Sequence, residues 1–140
     1  MKKIFFVCLF FLILSSCSTD NDNPEFYFEF VPIESVDMPL SFQHGEVYTI
    51  EYTYLRRTNC HFFSDLYFDR FENTRTVAVI NTVYENLENT TCVELTDELV
   101  TGQFNFHVLN QNGVYTFKFW QGINQVGEDE YLIIEIPVIQ

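Results

Sequence analysis

The chain predicts an all-β protein, an antiparallel β-sandwich of seven or eight strands. Three observations carry this. From Glu25 onward, aromatic and β-branched residues alternate with polar ones, the period of a half-buried strand. Gly, Pro, Asn and Asp interrupt these runs at short intervals, as strand-joining turns require. Helical periodicity is confined to one candidate turn at Thr96 to Val100, with Thr96 as cap and Asp97 and Glu98 in its first turn. Short strands at this spacing, without intervening helices, pack as two sheets.

The elements follow in order. Glu25 to Val31 (E-F-Y-F-E-F-V) is a first strand, and Pro32 and Pro39 confine the segment around them to an edge or a bend. Gly45 opens a second strand, Glu46 to Leu55, with Tyr48, Ile50, Tyr52 and Tyr54 on one face. His61 to Phe71 is a third strand, aromatic on both faces. Glu72-Asn73-Thr74 turns the chain into a fourth, Arg75 to Tyr84, and a polar loop, Glu85 to Thr91, leads to Cys92. Gln103 to Leu109 is a strand with Phe104, Phe106 and Val108 on one face. Val114 to Trp120 and Tyr131 to Val138 form the last two, joined through an acidic, Gly-containing loop.

The last two strands specify their own register. Pairing Phe119 with Leu132 also pairs Phe117 with Ile134 and Tyr115 with Ile136, so that all six apolar residues share one face. The opposite face then carries Thr116, Lys118, Trp120, Tyr131, Ile133 and Glu135. Trp and Tyr anchor interfaces because each joins a large apolar body to a polar tip. This face, with Trp120 and Tyr131 at its centre and Lys118 and Glu135 beside them, is the candidate binding face for a protein or glycan partner. The plainer expectation is that Trp120 packs only on the 121–130 loop.

The N-terminus addresses location. Lys2 and Lys3 precede an unbroken apolar run, Ile4 to Leu14, followed by Ser15, Ser16 and Cys17. A membrane-spanning helix needs ~20 apolar residues, so this run is an export signal rather than a span. The spacing Leu14-Ser15-Ser16-Cys17 resembles the lipobox of bacterial lipoproteins. That resemblance implies cleavage of residues 1–16, lipid attachment at Cys17, and a flexible acidic tether over residues 17–24. The remaining 25–140 form one domain. The mature chain would keep five basic residues against twenty acidic ones, a formal charge of −15. Such a charge excludes nucleic acid and anionic headgroups as partners, so membrane attachment rests on acyl chains. Cys60 and Cys92 remain as an even pair in an oxidising compartment, which predicts a disulfide between them.

Two wider resemblances add to this. Asn112-Gly113-Val114-Tyr115-Thr116-Phe117 resembles the start of the F strand of immunoglobulin-like domains, where a tyrosine hydroxyl bonds backbone upstream. It implies an immunoglobulin-like sandwich with Tyr115 buried and the third strand lying beside the final hairpin. That strand would add Tyr67 and Asp69, or Phe68 and Arg70, to the outer face. The lipobox, the acidic tether and the ending Y-T-F-K-F-W-Q-G-I-N-Q-V-G-E-D-E-Y-L-I-I-E-I-P-V resemble small lipoproteins of the Bacteroidota, particularly flavobacterial ones. That resemblance implies outer-membrane residence, facing the periplasm or the cell surface.

Chemistry-bearing residues are sparse. His44, His61 and His107 lie in separate elements without metal-ligand spacing. Cys60 and His61 are adjacent on a strand and point to opposite faces, so they form no dyad. Glu128-Asp129-Glu130 reads as a solvated hairpin tip rather than a calcium loop. Asp65 and Asp69 share a strand face with no cleft implied between them. Asn89-Thr90-Thr91 has the form of a glycosylation sequon, which carries no weight in a bacterial export context. The expectation is a non-catalytic, lipid-anchored binding or envelope-assembly module that needs no cofactor or metal. The alternative is a hydrolase with a site built from dispersed loop residues.

Overall fold

The structure, a computed structural model, describes residues 25–85 and 90–140. The expected signal peptide, the expected tether with Cys17, and Asn89 of the sequon lie outside the described residues. Nine strands run in the order β1 (Phe26–Val31), β2 (Ile33–Asp37), β3 (Phe42–Gln43), β4 (Val47–Leu55), β5 (His61–Phe71), β6 (Thr74–Tyr84), β7 (Leu99–His107), β8 (Gly113–Ile123) and β9 (Asp129–Ile139). They form a six-stranded sheet of β5, β6, β1, β8, β9 and β3, and a three-stranded sheet ordered β2-β4-β7. Packed together these are a β-sandwich.

Pro32 explains how one run of sequence serves both sheets. It has no N–H to continue a ladder, and the chain leaves the larger sheet at Val31 and joins the smaller at Ile33. Both flanking residues are buried in the core. β2 escapes sequence reading because it is short and lies between Pro32 and Pro39. β3 is only two residues long, yet Phe42 is fully buried and its ring centroid lies 4.8 Å from Tyr48 and 5.2 Å from Phe106.

The core fills the space between the sheets. Ile50, Tyr52 and Tyr54 of β4 face Val77 and Val79 of β6 and Tyr115, Phe117 and Phe119 of β8. The β8–β9 register is Phe119 with Leu132, Phe117 with Ile134 and Tyr115 with Ile136, as the sequence requires. Tyr115 is fully buried, and its hydroxyl accepts hydrogen bonds from the N–H groups of Leu109 (3.2 Å) and Asn110 (3.0 Å). Arg75 is buried beside it. Its guanidinium lies 5.0 Å from the Tyr115 ring and donates to the carbonyls of Glu72 and Thr74. Burial, partly offset by Tyr115, pushes the Arg75 pKa down.

Several expectations are corrected. The described residues form nine strands, not seven or eight. Two pairings are parallel, β3 with β9 and β6 with β8, where antiparallel pairing throughout was expected. The strands beside the final hairpin are β6 and β3, not the third predicted strand, β5, so the pairing departs from the immunoglobulin-like order. Thr96 to Val100 forms no helical turn. Asp97 takes a positive φ of 55°, and the chain enters β7 at Leu99, pairing Leu99 with Leu55 and Val100 with Tyr54. Burying Val100 beside the core wins over one isolated turn of helix, whose nucleation is costly.

Candidate functional site: an aromatic cleft on the outer face

The site arises from an unusual use of one strand edge. β6 carries β5 along one side. Its other side is shared, by β8 along Thr74 to Val77 and by β1 along Val79 to Tyr84. β1 and β8 therefore fork at Ala78. On the outer face of β6 lie Thr76, Ala78, Ile80 and Thr82, and Ala78 has the smallest side chain of these. The fork and the small residue leave a depression of about 600 Å³. Phe28 and Phe30 of β1, Tyr67 of β5, Trp120 of β8 and Tyr131 of β9 stand around it, with Thr76 and Asp129. A smaller depression of about 340 Å³ adjoins it on the far side of Phe28 and Phe30, lined also by Ser64, Asp65 and Ile80.

A bulge completes the wall. The β8–β9 register shifts between Trp120 and Gly122, so Trp120 pairs Tyr131 while Ile123 pairs Asp129. The extra residue, Gln121, stays exposed and donates to the carbonyl of Ile33 at 3.4 Å. Gly122 takes a φ of 121°, available at no steric cost only to glycine. Ile123 is thereby aimed into the cleft beside Asp129.

The rings touch each other in sequence. Phe30 lies 5.9 Å from Tyr67 and 5.9 Å from Trp120 between centroids. Trp120 donates its indole N–H to Asp129 Oδ1 at 2.8 Å. Lys118 places its ammonium 4.2 Å from the centroid of the Tyr131 ring. Desolvation, then the Asp129 carboxylate and the neighbouring Tyr67, push the Tyr131 hydroxyl pKa up. The aromatic surface continues along β1. Phe26, Phe28 and Phe30 are 54%, 63% and 48% exposed, and Phe26 and Phe62 each lie 5.8 Å from Tyr84. Apolar patches this continuous are uncommon on a soluble monomer and mark contact surfaces.

No protein-family model, no curated protein and no solved structure matches the chain. The cleft's own geometry therefore carries the reading.

Of the four predicted face residues, Trp120 and Tyr131 line the cleft, Lys118 covers the Tyr131 ring at its edge, and Glu135 stands two pairs away, opposite Thr116. Tyr67 and Asp69 do join this face, but as residues of a strand beyond β6. Phe68 turns inward and meets Phe104 of the other sheet at 5.7 Å. Trp120 also holds the start of the returning strand through Asp129, close to the plainer expectation for it. Asp129 belongs to β9, not to the loop tip, and faces the cleft with Tyr131 because strand neighbours two apart share a face. Phe28, Phe30, Ala78 and Ile123 join the site only through the fold. The alternation F-Y-F-E-F was the available signal, since it places three phenylalanines on one face of an edge strand.

Cys60 and Cys92 are joined by a disulfide, with Cα atoms 5.5 Å apart. Around it, a second constellation appears that sequence reasoning did not assemble. His61 is only 7% exposed, with Nδ1 2.7 Å from Thr58 Oγ1 and Nε2 3.1 Å from Glu29 Oε2. A carboxylate can only accept, so Nε2 carries the proton, and in the neutral ring the Thr58 hydroxyl donates to Nδ1. The order hydroxyl–imidazole–carboxylate is that of a nucleophilic triad. Its groups are already committed, however. Thr58 Oγ1 accepts from the Cys60 N–H at 3.1 Å, and Glu29 is also held by Arg57 at 2.6 Å. This is a hydrogen-bonded network around a buried His61 that ties down the disulfide corner. His44 bonds the Asn110 carbonyl, and His107 is exposed. The Glu128 backbone N–H donates to Asn124 Oδ1, which caps the turn there. Among the described residues no three His, Cys, Asp or Glu side chains group as metal ligands.

Proposed function

We propose that the chain is an exported, lipid-anchored outer-membrane lipoprotein whose sandwich is a non-catalytic binding or envelope-assembly module, with the aromatic cleft as its contact site. The observation that supports this reading is the cleft itself. Five aromatic side chains surround a floor of Ala78, and three of them, Phe28, Phe30 and Tyr67, keep 44–63% of their surface in water. Leaving that much apolar surface exposed forgoes ~25 cal/mol for every Å² that could have been buried, so its persistence fits a surface that is covered by something else. A cleft of this size with a few placed polar groups is the usual form of a ligand site. The lipid anchor is inferred from Lys2 through Cys17, and it would hold the domain at the membrane while leaving the sandwich free to bind. The resemblance to Bacteroidota lipoproteins rests on the lipobox, the acidic tether after Cys17 and the C-terminal hairpin sequence.

The test separates binding from folding. Trp120→Ala is expected to abolish crosslinked partner capture from intact cells while costing about 1–2 kcal/mol of stability, because Trp120 also anchors Asp129. A large stability loss with unchanged capture by the remaining folded protein would return Trp120 to a structural role and reject the cleft as the contact site.

A further inference from the structure

The cleft has a definite electrostatic character. Aromatic faces carry the negative part of the ring quadrupole and attract cations, the more so when partly desolvated. The lining supplies five such rings and the Asp129 carboxylate, and contains no Lys, Arg or His. Asp129 spends one oxygen, Oδ1, on the Trp120 indole. Asp65 faces the adjoining depression, and Asp69 stands on the same outer face of β5, opposite Thr76. Glu29 lines the cleft with its strand backbone only, since its carboxylate is turned to Arg57 and His61 on the other side. Among the described residues the basic group at the rim is Lys118, and it already lies over the Tyr131 ring. The chain thus presents its own ammonium to a ring of the cleft. Apart from Lys118 at the rim, an anionic ligand would meet only the Asp129 carboxylate and ring faces here, and the indole N–H that would orient a neutral sugar is taken by Asp129.

We propose that the cleft binds an alkylammonium group, its cationic head among Trp120, Tyr131 and Asp129 and its apolar stem along Phe28 and Phe30. This rests on the reading of the cleft as the contact site and adds the chemical class of what it holds. The ammonium can come from a free amine or from a lysine side chain of a basic partner. Lys118 then acts as an internal competitor whose ammonium occupies one ring until a ligand displaces it.

Trp120 is the only tryptophan in the chain, so its fluorescence reports the cleft alone. The full chain in detergent is titrated with choline and with choline's uncharged carbon isostere. Choline is expected to bind about tenfold tighter, the scale of a desolvated cation–π contact with a nearby carboxylate. Added salt should weaken choline and leave the isostere unchanged. Asp129→Asn keeps an acceptor for the indole and should lose most of the preference for choline. Lys118→Gln should tighten choline binding several-fold. A pentapeptide with a central lysine, compared with its norleucine counterpart, distinguishes the sources. Tighter binding of the lysine peptide than of choline assigns the ammonium to a protein partner, and the reverse assigns it to a free amine. Equal binding of choline and its isostere would overturn the cation preference while leaving an apolar contact site in place. Absence of any response to choline or the lysine peptide would also overturn it, and the Trp120→Ala capture experiment then decides whether the cleft is a contact site at all.

Discussion

Tyr115 shows how much a single hydroxyl can organise. Its oxygen accepts from two consecutive backbone N–H groups, Leu109 and Asn110, where the chain leaves β7. Tyr115→Phe strands both donors and is expected to cost ~1–3 kcal/mol in urea unfolding, the penalty for unpaired buried groups rather than for one average bond. Tyr52 makes a different demand. It lies directly across from Gly102, and its ring occupies the space where any Cβ at that position would sit. Burial, reinforced by Tyr54, pushes the Tyr52 pKa up from 10.0 to about 12. The neutral phenol is therefore favoured by folding. Its stabilising effect is complete below pH 10 and is lost as pH rises through the folded value near 12. Unfolding measured across that window should show stability falling with pH, and Tyr52→Phe should flatten the part of the slope due to this group. A slope unchanged in the variant would assign the alkaline loss to other tyrosines.

At the level of elements, the disulfide corner joins segments that the sheets alone leave loose. Val93 and Leu95 are tied to Asn59 and Arg57 by backbone bonds, and Asn59 Oδ1 accepts from the Val93 N–H at 2.8 Å. Replacing Cys60 and Cys92 together with serine is expected to lower stability by roughly 2–4 kcal/mol and to raise amide exchange first in residues 91–95. An exchange pattern unchanged there would show that the hydrogen bonds suffice. Strands with long alternation were legible in sequence. β5 matches its expected span, and the β8–β9 register followed from one apolar face that only a single alignment could bury. β2 and β3 were not legible, because short segments beside prolines carry no period. Nor was the parallel pairing of β6 with β8, since parallel and antiparallel neighbours impose the same alternation on a strand. The cleft depends on that pairing. Trp120 and Tyr131 could be read as neighbours from local register, but their meeting with Phe30 and Tyr67 is set by how two strands divide one edge of a third, which no local pattern encodes.

For the whole molecule, charge and attachment act together. Twenty acidic residues against few basic ones repel anionic surfaces, so the proposed attachment to a membrane would rest on acyl chains at Cys17. Cys17→Ala is expected to move the chain from the membrane fraction to the soluble fraction or to leave an unprocessed precursor, with mass spectrometry showing acylation only on the wild type. Unchanged partitioning of the variant, together with an unacylated wild type, would reject the anchor. The fork at Ala78 then has a mechanical meaning. A pull applied through the residues ahead of Phe26 enters the domain on β1, whose six residues are zipped to β6 from Phe26–Tyr84 to Val31–Val79. The near end of that zip is reinforced, because the Tyr84 N–H bonds the carbonyl of Cys60, one end of the disulfide. Tension would peel Phe26 first and reach Phe28 and Phe30, the wall of the cleft, only afterwards. Anything lodged between those rings and Trp120 would brace β1 against β8 across the fork, so that a filled cleft resists load and a strained tether opens an empty one.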